Sequence, residues 1–164
     1  MAADAYGTVA AFDRFSGEQI WRQKFGEEER RSSGLNRFLD RSDGGFVSGG
    51  VGGGEGLVLL GTTRGNVIAL ALSDGSEKWR TYVGSEIGST PVAAQGRVFA
   101  QTIDGELVAL DAETGEQLWS YSSQVPLLTL RGTSTPVTAR DVVYAGFASG
   151  KVVALRASNG EPIW

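Results

Sequence analysis

The 164-residue chain contains no cysteine and no histidine, one methionine and four prolines. Without cysteine there is neither a disulfide framework nor a thiolate metal site, although the compartment stays open. Without histidine the commonest general base and metal ligand is missing, and no Ser/His/Asp or Cys/His constellation can form. No apolar run approaches the ~20 residues of a membrane-crossing helix. The net charge is −4 with acids and bases interspersed, so no basic stripe invites nucleic acid. The opening stretch MAADAYGTV has neither a basic n-region nor an apolar h-region and does not read as a signal peptide.

What the chain does have is a repeat, marked by its four tryptophans. GTVAAFDRFSGEQIW (7–21), GNVIALALSDGSEKW (65–79), GELVALDAETGEQLW (105–119) and GKVVALRASNGEPIW (150–164) share Gly first, Ala fifth, Gly eleventh and Trp fifteenth. The copies start 58, 40 and 45 residues apart. A period near ~40–45 residues, rich in short strands, is the signature of a β-propeller. The 24 glycines are interleaved with regular apolar strands, so they mark turns and close backbone approaches rather than disorder.

Residues 87–121 show the unit. Strands are expected over Ser89–Ala94, Arg97–Thr102, Glu106–Asp111 and Glu116–Tyr121, with turns at Gln95-Gly96, Asp104-Gly105 and Glu113-Thr114-Gly115. In the third strand Leu107 and Ala109 share one face and Val108 and Leu110 the other, so both faces are apolar, as suits a sheet stacked between two neighbours. Ser134-Thr135-Pro136-Val137 repeats Ser89-Thr90-Pro91-Val92, and Ser48–Gly53 with Leu57–Thr62 repeats the order with more glycine. The expected architecture is all-β: three complete four-stranded blades and part of another. The partial blade covers 1–25, an insertion loop 26–46, and whole blades 47–82, 87–121 and 133–164. Each tryptophan is expected on an outer strand, packed against the small alanine and the glycine turn of an adjacent motif. The docking residues are then Ala11, Gly17 and Trp21; Ala69, Gly75 and Trp79; Ala109, Gly115 and Trp119; and Ala154, Gly160 and Trp164.

Two other stretches invite different readings. GGVGGGEG (49–56) lacks the Lys-Ser/Thr of a phosphate loop and sits where strand, turn and strand are expected. The insertion EEERRSSGLNRFLDRSDGG (27–45) reads as a solvated loop, or as a short helix with Leu35, Phe38 and Leu39 on one face. Paired carboxylates such as Glu113 and Glu116 fall at turn positions of the repeat.

The pattern Ala-x-Asp-x-x-x-Gly-x-x-x-Trp, present as Ala11, Asp13, Gly17, Trp21 and as Ala109, Asp111, Gly115, Trp119, resembles the docking motif of quinoprotein-type propellers. Ala71 and Arg156 replace the acid in the other two copies, which weakens an Asp bridge there. Pyrroloquinoline-quinone dehydrogenases of that type need a calcium site, a catalytic Asp and, in many members, a vicinal disulfide, for which this chain shows no ligand cluster. The stretch SSQVPLLTLRGTSTPV (122–137) is similar to an interblade junction of the BamB family, propeller lipoproteins of the machinery that assembles outer-membrane β-barrels. VGSEIGSTPV (83–92) and SGGV (48–51) are similar to the two preceding junctions of that family.

That resemblance implies part of the N-terminal half of an eight-bladed ring, with no enzymatic activity and no cofactor. It implies a place in the periplasm, held to the inner face of the outer membrane by an N-terminal lipid on the full-length protein. Leu128, Leu130 and Arg131 match the surface on which the family binds a periplasmic domain of BamA, the barrel-inserting subunit, alongside other subunits of the machinery. The residues agree with this: Val125, Leu127, Leu128 and Leu130 are apolar where a solvated connection would be polar. The alternative for these leucines is a plug in the propeller floor. A quinoprotein-type enzyme or a ligand-sensing propeller is the alternative for the whole chain. Half a ring leaves two blade faces bare, so two copies are expected to close a ring about a two-fold axis, or another chain to supply the missing half.

Overall fold

A computed structural model describes residues 1–4, 7–24, 47–123 and 133–164. These residues form fourteen strands in four antiparallel sheets, without a helix. The first sheet holds β1 (Ala2–Ala3), β2 (Thr8–Phe12) and β3 (Gln19–Lys24). The second holds β4 (Val47–Gly54), β5 (Leu57–Thr62), β6 (Asn66–Ala71) and β7 (Glu77–Tyr82). The third holds β8 (Val92–Ala94), β9 (Arg97–Gln101), β10 (Glu106–Asp111) and β11 (Gln117–Ser122). The fourth holds β12 (Val137–Ala139), β13 (Val142–Gly146) and β14 (Val152–Arg156). Within each sheet the strands run in sequence order, as meanders joined by hairpins.

The sheets stack face to face because β2, β6, β10 and β14 carry apolar residues on both sides. Val9, on the first sheet, packs with Val58, Leu60, Ile68 and Leu70 of the second. Val67 and Leu59 of the second sheet pack with Val98, Val108 and Leu110 of the third. Leu107 and Phe99 of the third pack with Val143, Val153 and Leu155 of the fourth. Alternate residues of one strand thus belong to different cores, and the described residues form three slab-like cores in place of one central one.

The strands differ from expectation at their ends. Ser89, Thr90 and Pro91 precede β8 rather than joining it, and the corner is closed by an isolated Ile87–Thr102 bridge. Pro91 has no N–H to give to a ladder, and Ser89 spends its side chain instead, accepting from Gln101 N–H at 3.0 Å. Ser134 repeats this with Gly146 N–H at 2.9 Å. Over 133–164 the expected four strands are found as three plus a short edge. Leu155 bridges Pro162, and Ala154 exchanges bonds with Ile163 and Trp164. Pro162 again removes a donor, so the edge stays short of a regular strand. The insertion 26–46, with Leu35, Phe38 and Leu39, lies outside the described residues.

The glycine run 49–54 has a packing cause. A Cβ on Gly49 would lie 2.1 Å from the Ser89 carbonyl oxygen, and one on Gly52 1.7 Å from that of Pro91. Strand β4 therefore runs in backbone contact with the segment entering the third sheet, where only glycine fits.

All four turns before the outer edge share one backbone form. Motif position seven donates to the carbonyl of position twelve and accepts from the N–H of position eleven, as in Asp111–Glu116 and Gly115–Asp111. In all four turns the side chain at motif position ten accepts from the N–H of position twelve: Ser16 from Glu18, Asp74 from Ser76, Thr114 from Glu116 and Asn159 from Glu161. Two turns add a second acceptor at position seven: Asp13 accepts from the N–H groups of Phe15 and Ser16, and Asp111 from those of Glu113 and Thr114. Where Ala71 and Arg156 stand in the acid's place, only the position-ten acceptor serves the turn. These bonds hold the Asp13, Asp74 and Asp111 carboxyls below their ordinary value of 3.8.

A carboxyl whose value is lowered by folding adds stability above its unfolded value and loses it as the pH falls through the folded one. Urea midpoints are accordingly expected to fall as the pH drops below 3.8. Replacing Asp13, Asp74 and Asp111 together by Asn keeps the acceptor oxygen, as Asn159 does naturally, but removes the titration. That variant should show a shallower acid slope with an unchanged circular dichroism spectrum.

Candidate functional site

The residues singled out in the sequence fall into two groups: the tryptophan docking sites and the junction around Leu128, Leu130 and Arg131. The docking sites are built the same way three times. On its own sheet each tryptophan stands directly across from the motif alanine: Ala11–Trp21, Ala69–Trp79 and Ala109–Trp119. Immediately after each pair the register shifts by one residue, leaving Ile20, Lys78 and Leu118 unpaired. A bulge of this kind twists the strand and re-aims its neighbouring side chain, here toward the following sheet.

There the indole lies against the turn glycine. A Cβ on Gly75 would sit 2.5 Å from Cε3 of Trp21, one on Gly115 2.6 Å from Cδ2 of Trp79, and one on Gly160 2.6 Å from Cε3 of Trp119. These glycines have φ of +75°, so the conformation and the close approach both exclude a side chain. Each indole Nε1–H then donates to the eighth-position carbonyl of the same turn. Trp21 bonds Leu72 at 2.8 Å, Trp79 bonds Ala112 at 3.0 Å and Trp119 bonds Ala157 at 3.0 Å. The structure thus divides the expected packing partners. The alanine belongs to the tryptophan's own hairpin, where it is the cross-strand neighbour, and only the glycine belongs to the adjacent motif. Sequence reasoning missed the carbonyl acceptors, which leave no mark on side-chain identity.

Further bonds cross between sheets beside the indoles. Thr81 Oγ1 donates to the Gly115 carbonyl at 2.7 Å, and the Glu55 carboxylate accepts from Gly96 N–H at 2.9 Å. Gln95 also reaches from the third sheet to the Arg140 carbonyl of the fourth. Among the described residues no three His, Cys, Asp or Glu side chains converge on a common point that would hold a metal ion.

Leu128, Leu130 and Arg131 lie outside the described residues, but both ends of their connection are placed. Ser123 N–H donates to the Gly105 carbonyl at 2.9 Å. At the other end the Thr133 side chain abuts Gly88, whose Cβ would lie 2.7 Å from Thr133 Oγ1 and 2.9 Å from the side chain of Ile103. The connection is therefore anchored at the end of the third sheet that carries the Ile103–Gly105 turn. The preceding junction starts in the same way, with Val83 N–H on the Gly65 carbonyl. Pro91 follows Val83 after eight residues, whereas Pro136 follows Ser123 after thirteen. The later junction is an extended version of a short, regular corner.

The docking geometry makes a differential prediction. Gly115→Ala meets the Trp79 ring as well as an unfavourable left-handed backbone, and should cost several kcal/mol more than the ~1–2 kcal/mol of backbone strain alone. Gly17→Ala, which has no heavy atom within 4 Å of its Cβ among the described residues, should cost only the strain. Urea titration of both variants measures the difference; equal losses would contradict the docking.

The sequence profile of the family described as outer membrane protein assembly factor BamB matches residues 5–164. The BamB of Shewanella oneidensis is 37% identical over 132 residues, covering 80% of this chain and 32% of that protein. The chain thus spans about a third of the length of that curated relative. The crystal structure of BamB from Moraxella catarrhalis is similar at TM-score 0.79 and 23% identity, over 99% of this chain and 43% of the other. The quinohemoprotein alcohol dehydrogenase of Comamonas testosteroni is similar at TM-score 0.66 and 22% identity, over 98% and 32% of the two chains. The last two likenesses show the β-propeller fold alone. With a period of docked tryptophans, four stacked meanders, and a family profile that runs almost from end to end, the chain belongs to the BamB family of β-propeller proteins.

Proposed function

We propose that this chain is part of a non-catalytic scaffold for the assembly of outer-membrane β-barrel proteins, and that its 122–137 junction is the contact for a partner in the periplasm. The kinship with outer membrane protein assembly factors supports the first statement. The observation that carries the second is the extended junction. It is five residues longer than the regular corner one blade earlier, and it contains Val125, Leu127, Leu128 and Leu130. A corner that only joined two sheets would not need that length, and an apolar cluster in a connection marks an interaction surface.

In this reading the stacked sheets fix the two ends of the junction, at Ser123 and Thr133. Leu128 and Leu130 supply the apolar contact, and Arg131 supplies up to five donors in a planar fork for carbonyls or carboxylates. The partner is a periplasmic domain of BamA, and the full-length protein is held to the inner face of the outer membrane by a lipid. Other subunits of the machinery meet the same scaffold.

Capture of this chain by immobilised periplasmic domains of BamA tests the assignment. Leu130→Ala and Arg131→Glu should each weaken binding at least ~10-fold while leaving the far-ultraviolet circular dichroism unchanged. Wild-type capture that both variants match would contradict it.

A further inference from the structure

Position ten of the motif is exposed in all four turns, held by Ser16, Asp74, Thr114 and Asn159. Asp74 and Thr114 stand on sheets with a neighbour on each side, so this exposure belongs to the position itself. Of the four residues only Asn159 carries an amide, and Gly160 follows it. The other two asparagines lack that glycine: Asn36 precedes Arg37, and Asn66 precedes the β-branched Val67 and is buried. A glycine next in the chain leaves its backbone nitrogen unshielded, so that nitrogen reaches the preceding side-chain Cγ most readily. Two bonds set the chemistry here. Glu161 N–H donates to Asn159 Oδ1 at 3.1 Å, across only two residues, and so sits on the oxygen that gains charge when Cγ is attacked. Gly160 N–H donates to the Arg156 carbonyl at 2.9 Å, which occupies the attacking nitrogen while the turn is closed. Asp13 and Asp111 brace their own turns with two further backbone bonds each. Arg156 stands in that place here and provides neither.

We propose that Asn159 is a site of spontaneous side-chain amide loss, and that the isoaspartyl product uncouples the third sheet from the fourth. When the turn opens, the Gly160 nitrogen gives its proton to water and attacks Asn159 Cγ. The new N–Cγ bond replaces the Cγ–Nδ2 bond, and ammonia leaves. Water then opens the cyclic imide at one of its two carbonyls. Cleavage of the N–Cγ bond gives aspartate. Cleavage of the bond to the main-chain carbonyl carbon gives isoaspartate, in which the chain runs through the former side chain. The two products differ in consequence. Aspartate keeps the position-ten oxygen, as Asp74 does on Ser76 N–H. Isoaspartate adds a methylene to the backbone beside Gly160, whose Cβ position is 2.6 Å from Cε3 of Trp119, while the Ala157 carbonyl of the same turn takes the indole N–H at 3.0 Å. A turn longer by one bond does not keep both the glycine under the ring and the carbonyl at its N–H. The repeat thus places its one hydrolysable amide in a turn that pins two sheets.

Prolonged warm incubation of the folded chain in mildly alkaline buffer tests this, read by peptide mass spectrometry and by labelling with an isoaspartyl methyltransferase. Isoaspartate should accumulate at Asn159 well ahead of Asn36 and Asn66. Arg156→Asp restores the brace of the Asp111 turn, where Asp111 and Glu116 already stand as the new Asp and Glu161 would. Because the open turn becomes rarer, conversion should slow at least ~3-fold. Asn159→Ser, the residue found at Ser16, should abolish it with an unchanged far-ultraviolet circular dichroism spectrum. In the isoaspartyl protein the Trp119 Nε1–H should exchange at least ~10-fold faster, while Trp21 and Trp79 keep their rates. Asn159→Asp should leave all three unchanged. An Asn159 that stays intact, equal conversion at Asn36 or Asn66, a rate indifferent to Arg156→Asp, or an isoaspartyl protein with Trp119 still protected would each overturn the proposal.

Discussion

An indole lying on a backbone glycine, with its N–H held by a carbonyl one turn away, is the contact on which this fold depends. Burying ~150–250 Å² of aromatic surface is worth at most ~4–6 kcal/mol. What makes that energy specific is the geometry around it. The alanine opposite leaves room, the bulge turns the ring toward the next sheet, and the positive φ of the glycine turn presents a bare backbone. Loss of any of the three would leave a large ring without a place to lie. Each sheet touches only its neighbours, so stability is a sum of similar interface terms rather than the property of one core.

The period was legible because its determinants are residue types. Tryptophan, glycine and alanine recur at fixed spacing, and apolar residues on both faces of the third strand announce a sandwiched sheet. Other features were hidden for physical reasons. A carbonyl acceptor such as Leu72 is the same atom in every residue type, so a sequence cannot show it. The replacement of the turn acid at Ala71 and Arg156 removes one acceptor, but Asp74 and Asn159 keep the bond that Ser16 and Thr114 make in the other two turns. The turn closes through its backbone bonds and that shared oxygen, without an aspartate at position seven. The glycines of β4 were legible as strand residues, but their cause is the approach of the Ser89 and Pro91 carbonyls in the segment that enters the third sheet, a long-range contact that no local pattern encodes.

The candidate partner surface is of a different kind. Nothing in periodicity or propensity points to a partner for Leu128, Leu130 and Arg131; their role is proposed from the resemblance to a family. What the described residues add is the frame of that junction. Its two ends are pinned to the third sheet at Gly105 and Gly88, and its length exceeds that of the corner one blade earlier. A repeat protein puts its function where one unit departs from the others, because the common positions are already committed to stacking.

Hydrogen exchange of the indole N–H groups, resolved by ¹⁵N labelling, tests the central contact most directly. If the tryptophans pin the sheets, the Nε1–H groups of Trp21, Trp79 and Trp119 exchange as slowly as the amides of β5, β6, β9 and β10, because they open only when the stack does. Exchange of these three at the rate of a solvent-exposed indole, while the strand amides remain protected, would show that the sheets hold together without them.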